Sequence, residues 1–212
     1  MRIKHEQKLL FIGDSITDCG RRGPDAPLGC GYVKMFSDML IGRHSNRAVT
    51  VINKGISGDD VTRLRDRWKD DVLRHRPDWV SIKIGINDLC RVLREDPAAV
   101  SPQLYREAYG QILELTRSHL PKCKLLLIDP FYISTDDNPM SFRTHALQLL
   151  PEYLRVVQDL SRRYKARHVK THQIFQKLLK AHEPDTFCPE PVHPNATGHF
   201  VIADAVYAAL TT

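Results

Sequence analysis

At 212 residues, with 42% hydrophobic and 26% charged side chains, the chain has the make-up of a globular domain and room for one substantial core, so a single domain over residues 1–212 is expected. No apolar stretch approaches the roughly 20 residues of a spanning helix, and Met1-Arg2-Ile3-Lys4-His5-Glu6 has no signal-peptide core, so a cytoplasmic location without a membrane partner is expected. The formal charge of +6 is interleaved with acids, as in Arg63-Leu64-Arg65-Asp66-Arg67-Trp68-Lys69-Asp70-Asp71, and accompanies no nucleic-acid motif; nucleic acid is not an expected partner.

In chain order, apolar runs of strand length fall at Lys8–Gly13, Val49–Asn53, Trp79–Gly85, Lys124–Asp129 and, more weakly, Arg167–Lys170. The first, third and fourth are nearly continuous in apolar residues, which suits strands buried on both faces. Between them, Tyr32–Ile41, Val61–Arg74, Pro102–His119 and Pro151–Tyr164 carry helical spacing, and a last amphipathic segment, Thr197–Leu210, is announced by Pro194-Asn195. Strand alternating with helix predicts an α/β fold with a five-stranded parallel sheet covered on both faces. Asp129–Met140 reads as one long loop at a pocket rim. The cysteines, Cys19, Cys30, Cys90, Cys123 and Cys188, are odd in number and contain no CxxC pair, which argues against a disulfide framework and a structural zinc site.

Open parallel sheets carry their sites at the carboxyl ends of the strands. Ser15 follows the first strand in Gly13-Asp14-Ser15, Gly58 follows the second in Asn53-Lys54-Gly55-Ile56-Ser57-Gly58-Asp59-Asp60, and Asn87 follows the third in Gly85-Ile86-Asn87-Asp88. A serine needs a base to become a nucleophile, and acyl transfer needs donors for the oxyanion. His193, in Val192-His193-Pro194, is the candidate base among ten histidines, with His199 the decoy in the last helix. Glu190 is the candidate partner of that base and Asp185 the reserve. Asp88 is expected to orient its loop, and Asp59 or Asp60 to cap the following helix. A metal site from His182, Glu190, His193 and His199 matches no recognised zinc spacing, so no cofactor or metal is expected.

The four blocks together resemble the SGNH hydrolases, or GDSL esterase/lipase family. Phe11-Ile12-Gly13-Asp14-Ser15-Ile16-Thr17-Asp18 is similar to the nucleophile block, Gly58 to the glycine block, Gly85-Ile86-Asn87-Asp88 to the asparagine block, and Val192-His193-Pro194 with Gly198-His199 to the histidine block. The resemblance implies a three-layer α/β/α, flavodoxin-like sandwich. It implies Ser15 as nucleophile, His193 as base, and an oxyanion hole from the Ser15 and Gly58 amides and the Asn87 side chain. Longer strings, including Asp18-Cys19-Gly20-Arg21 and Pro77-Asp78-Trp79-Val80-Ser81-Ile82, look most like bacterial acetylxylan and carbohydrate esterases. From this follow an acetylated sugar or oligosaccharide as the expected substrate partner, no metal, and a homo-oligomer. The family usually has Asp where this chain has Glu190, one methylene longer. Two alternatives stay open: a lipid esterase or lysophospholipase on the same chemistry, and a catalytically silent sugar-binding protein. Tyr32, Trp79, Phe131 and Tyr132 are aromatic enough to stack on a sugar, but packing is the expected role of each.

Overall fold

Leu9, Leu10, Phe11 and Ile12 point alternately to opposite faces of a strand, and all four are buried, so both faces of β1 (Lys8–Gly13) are covered. The computed structural model describes residues 3–211 and places β1 near the centre of a parallel sheet. Its neighbours are β2 (Thr50–Asn53) and β3 (Trp79–Lys83), followed outward by β4 (Lys124–Ile128) and β5 (Arg167–Val169). The order is β2-β1-β3-β4-β5, with Leu10 opposite both Ile52 and Val80 and Gly13 opposite Lys83. The chain turns outward in opposite directions from β1, so the β1/β3 boundary is the switch point where a crevice opens at the strand ends.

Helices fill both sides. A one-turn helix α1 (Ser15–Asp18) leaves β1, and α2 (Tyr32–Arg43) packs on the last helix, α9 (Ala196–Thr211). The other layer contains α3 (Val61–Asp66), α4 (Trp68–Asp71), α5 (Ile86–Leu93), α6 (Pro102–His119) and α7 (Phe142–Arg163), with α3 on α6 and α5 and α6 on α7. A further helix, α8 (Thr171–Leu178), follows β5. This is the three-layer α/β/α sandwich expected from the sequence. Tyr32, Trp79, Phe131 and Tyr132 are all buried in it.

Most element ends lie within two residues of the sequence expectation, and three departures have a clear local cause. The segment Val61–Arg74 is not one helix. It breaks at Arg67 (φ −97°, ψ 5°), whose guanidinium is drawn inward to the Asp59 carboxylate at 2.7 Å and the Lys54 carbonyl at 2.7 Å. The helix expected over Pro151–Tyr164 starts nine residues earlier, at Phe142, because the Ser141 side chain accepts the Thr144 N–H at 3.0 Å and caps it there. Pro151 therefore lies inside α7, where it removes one backbone donor without ending the helix. The third strand stops at Lys83, since Gly85 (φ +126°) turns the chain into α5; a Cβ at Gly85 would stand 2.8 Å from the Tyr105 hydroxyl. Among the described residues no helix is long and apolar enough to cross a membrane.

The central strands carry the core, so truncation there is expected to cost far more than truncation on the surface. Leu126 is fully buried in β4, and Leu126→Ala is expected to lower unfolding free energy by about 2–5 kcal/mol in a urea titration.

Candidate active site

Ser15 is the first residue of α1. The Asp14 side chain caps that turn by accepting the Ile16 N–H at 3.0 Å, and the Asp14 carbonyl accepts from Thr17 and Asp18. The Ser15 N–H is thus left as a helix-start donor with no acceptor inside its own turn. Gly13 cannot be larger, because a Cβ there would lie 2.1 Å from the Lys83 carbonyl.

The Ser15 hydroxyl is 2.9 Å from Nε2 of His193. On the other side of the ring, Nδ1 of His193 is hydrogen-bonded to Oε1 of Glu190. The same Glu190 oxygen accepts the His193 backbone N–H at 2.8 Å, and Oε2 accepts the Val192 N–H at 3.0 Å. The extra methylene of glutamate is thus absorbed by a tight turn folded around its carboxylate. Partial burial pushes the Glu190 carboxyl upward, but the Val192 amide, the His193 ring and the His193 amide together outweigh it and hold the carboxyl below its ordinary range. Asp185 does not take this place, since Nδ1 of His193 is bonded to Glu190; the Asp185 carbonyl accepts from the Asn195 side chain in a turn before the loop. His199 is not part of this relay. It is buried, its Nδ1 accepts the Tyr32 N–H at 3.2 Å, and burial lowers its ring to about 4.

Gly58 and Asn87 meet through the residue between them in space. Nδ2 of Asn87 donates to the Asp59 carbonyl at 2.8 Å, which spends one of its two N–H bonds and leaves the other to be directed elsewhere. Gly58 has φ +81°, and a Cβ built on it would meet no heavy atom within 4 Å, so backbone conformation, not crowding, calls for glycine here. Asp60 caps α3 through the Thr62 and Arg63 amides, and Arg91 reaches both its carboxylate and the Gly58 carbonyl. Asp88 accepts the Val61 N–H at 3.1 Å, which fastens the asparagine turn to α3 in the orienting role expected of it.

Sequence reasoning missed the support beneath Ser15. Lys83 is fully buried, with Nζ 3.7 Å from the Asp14 carboxylate and 4.7 Å from the centre of the Phe131 ring. Burial lowers its pKa, and Asp14 opposes the shift. The signal was legible: a lysine closing a mostly apolar strand. The substrate-side walls were missed as well. A shallow cleft of about 380 Å³ beside Ser15 is lined by Asp18, Cys19, Gly20, Arg22, Gly23 and Ser57. Among the described residues no group of three or more His, Cys, Asp or Glu side chains is arranged to hold a metal ion, and His182, Glu190, His193 and His199 do not form one.

A serine hydroxyl on an imidazole, itself held by a carboxylate, with free donors on two neighbouring turns, is an arrangement fit for acyl transfer. The family model of GDSL-like lipases and acylhydrolases matches residues 11–200. The chain belongs to this GDSL-like lipase/acylhydrolase family. Within it, an acetylxylan esterase of Geobacillus stearothermophilus is 37% identical over 97% of this chain and 94% of its own length. The crystal structure of the acetylxylan esterase Axe2 from that organism superposes with a TM-score of 0.90 at 34% identity, covering 100% of this chain and 97% of that one. An α/β hydrolase from the Lake Arreo metagenome, LAE5, superposes with a TM-score of 0.89 at 28% identity and full coverage of both chains. This GDSL-like chain is a serine esterase built on the fold of those enzymes.

The buried carboxyl of Asp88 generates a pH test. Burial, reinforced by Asp60 and opposed by the Val61 N–H, raises it from 3.8 to about 8. The folded protein holds this proton after the unfolded chain has lost its own, so wild-type stability falls from about pH 4 to about pH 8 through this group. Asp88→Asn keeps the acceptor for Val61 and removes the titration. Its unfolding free energy relative to wild type is expected to rise across that window, measured by urea titrations at several pH values; a difference constant with pH contradicts the assignment.

Proposed function

We propose that this chain removes O-acetyl groups from carbohydrate, with xylan-derived oligosaccharides as the substrate class, through an acetyl-enzyme intermediate on Ser15. The observation that carries the reading is the unbroken Ser15–His193–Glu190 hydrogen-bond relay beside an open cleft. His193 takes the hydroxyl proton at Nε2 as the Ser15 oxygen attacks the acetyl carbonyl, while Glu190 stabilises the imidazolium through Nδ1–H. The oxyanion is received by the Ser15 and Gly58 amides and by the unspent Asn87 N–H, each such donor being worth about 10²- to 10³-fold in rate. His193 then returns its proton to the departing sugar oxygen and activates a water. That water releases acetate and restores the serine hydroxyl.

The cleft favours a sugar ester over a lipid. It is open, and its walls carry small and charged residues; one Asp18 carboxylate oxygen accepts from both the Arg22 guanidinium and the Ser57 N–H, each at 3.0 Å. Among the described residues, those walls include no large apolar side chain. Relatives support the same direction. Three solved variants of the Geobacillus esterase, described as catalytic mutants, replace a serine, a histidine or an aspartate. The aspartate and histidine lie three residues apart there, as Glu190 and His193 do here.

Purified protein is expected to hydrolyse p-nitrophenyl acetate with kcat/KM at least about tenfold above the octanoate ester, since each unaccommodated methylene loses binding in a short site. Ser15→Ala is expected to lose about 10³-fold or more in kcat. A preference for the longer ester would instead support the lipid reading, and an active Ser15→Ala would remove the nucleophile.

A further inference from the structure

Two thiols face each other at the rim of the cleft. Sγ of Cys19 and Sγ of Cys30 are 3.6 Å apart, near enough that a modest closure reaches the disulfide length of about 2.05 Å. Their backbones are already joined, the Cys30 N–H donating to the Cys19 carbonyl at 2.9 Å. The chain between them is pinched shut at this neck: a Cβ on Gly29 would stand 2.5 Å from the Asp18 carbonyl and 2.6 Å from that of Cys19. The two cysteines differ in access. Cys30 is exposed and Cys19 is half-buried, whereas Cys90, Cys123 and Cys188 are buried.

Cys19 is also tied to the reacting serine. Its N–H donates to the Ser15 carbonyl at 2.9 Å, it closes α1 in a left-handed conformation (φ 40°), and its side chain lines the cleft. Because the Tyr32 N–H donates to Nδ1 of His199, the His199 proton sits on Nε2 and points at the Cys19 sulfur, 3.4 Å away. A Cβ on Gly31 would meet that sulfur at 2.8 Å, so the thiol is lodged in a fitted seat.

We propose that Cys19 and Cys30 are a reversible disulfide-forming site whose closure slows the esterase. The oxidant is a low-molecular-weight disulfide. The exposed Cys30 thiolate attacks one of its sulfurs, forming a mixed disulfide and expelling the first small thiolate, which takes a proton from solvent. Cys19 then releases its proton to solvent and attacks the Cys30 sulfur. The Cys19–Cys30 bond forms as the mixed bond breaks, and the second small thiol leaves. Two protein thiols are oxidised and one small disulfide is reduced to two thiols. Burial, and after it the neighbouring Cys30, hold Cys19 up at about 12. A mixed disulfide at Cys30 removes the neighbouring thiol's part of this shift. Closure draws the Cys19 sulfur away from His199 and disturbs the turn that holds Ser15.

The slowing rests on the esterase reading; the cross-link itself does not. Oxidised glutathione is added to the full-length protein, followed by intact-mass and peptide mapping beside acetate-ester turnover. A Cys19–Cys30 cross-link, a fall in kcat of about threefold or more and recovery with dithiothreitol are expected. Cys30→Ser is expected to keep wild-type turnover and lose the response to oxidant. An active protein that stays fully reduced, or stops at a glutathione adduct on Cys30, overturns the site. Cross-linking without a change in turnover overturns the regulation. Absence of turnover before oxidant leaves the cross-link to be judged by mass and counts against the esterase reading alone.

Discussion

Ser15 and His193 are 178 positions apart in the chain and 2.9 Å apart in space, and the rest of the molecule is arranged around that distance. One group leaves the first strand and the other precedes the last helix. Holding them together requires the sheet to be rigid at β1 and the final helix to be anchored. Both conditions are met by burial: β1 is covered on both faces, and α9 packs against α2, which follows the nucleophile loop directly. The hydrogen bond itself is modest, about 1 kcal/mol net in the general case. It is the fold, not the bond, that sets the geometry.

The strand ends supply the remaining parts by the same logic. The order β2-β1-β3 places the ends of three neighbouring strands side by side, and each carries one element of the site. Ser15 leaves β1 on α1, Gly58 lies in the loop after β2, and Asn87 opens α5 after β3. Asn87 to Asp59, Asp88 to Val61 and Arg91 to Asp60 tie the second turn to the third, and the Ser57 N–H on Asp18 ties the second to the first. A substitution in any of these ties is felt at the others, because the donors share a backbone support rather than standing independently.

Much of this was legible in the sequence, for physical reasons. Strands buried on both faces read as nearly continuous apolar runs, and β1, β3 and β4 did so. The nucleophile and asparagine turns follow those runs directly, so the strand reading carried the site reading with it. The residues that escaped did so because their role depends on partners remote in sequence. Arg67 breaks a helix only because Asp59 and the Lys54 carbonyl are waiting for its guanidinium. Phe142 starts a helix because Ser141 caps it, while Pro151 further along drew attention to the wrong place. Lys83 is a single charge in a buried strand, and its partner Asp14 lies on a different one of the neighbouring strand ends. Glu190 was legible by position, but not how its longer side chain is accommodated. The Val192 and His193 amides do that, and only the folded loop displays them.

Catalysis at this site requires that His193, held by Glu190, activate Ser15. Labelling with diethyl p-nitrophenyl phosphate followed by peptide mass mapping tests it most directly, because the adduct marks whichever hydroxyl is activated. A single adduct on Ser15 is expected, formed far more slowly in His193→Ala and at an intermediate rate in Glu190→Gln. An adduct at another residue, or one that forms on Ser15 equally fast without the imidazole, would contradict it.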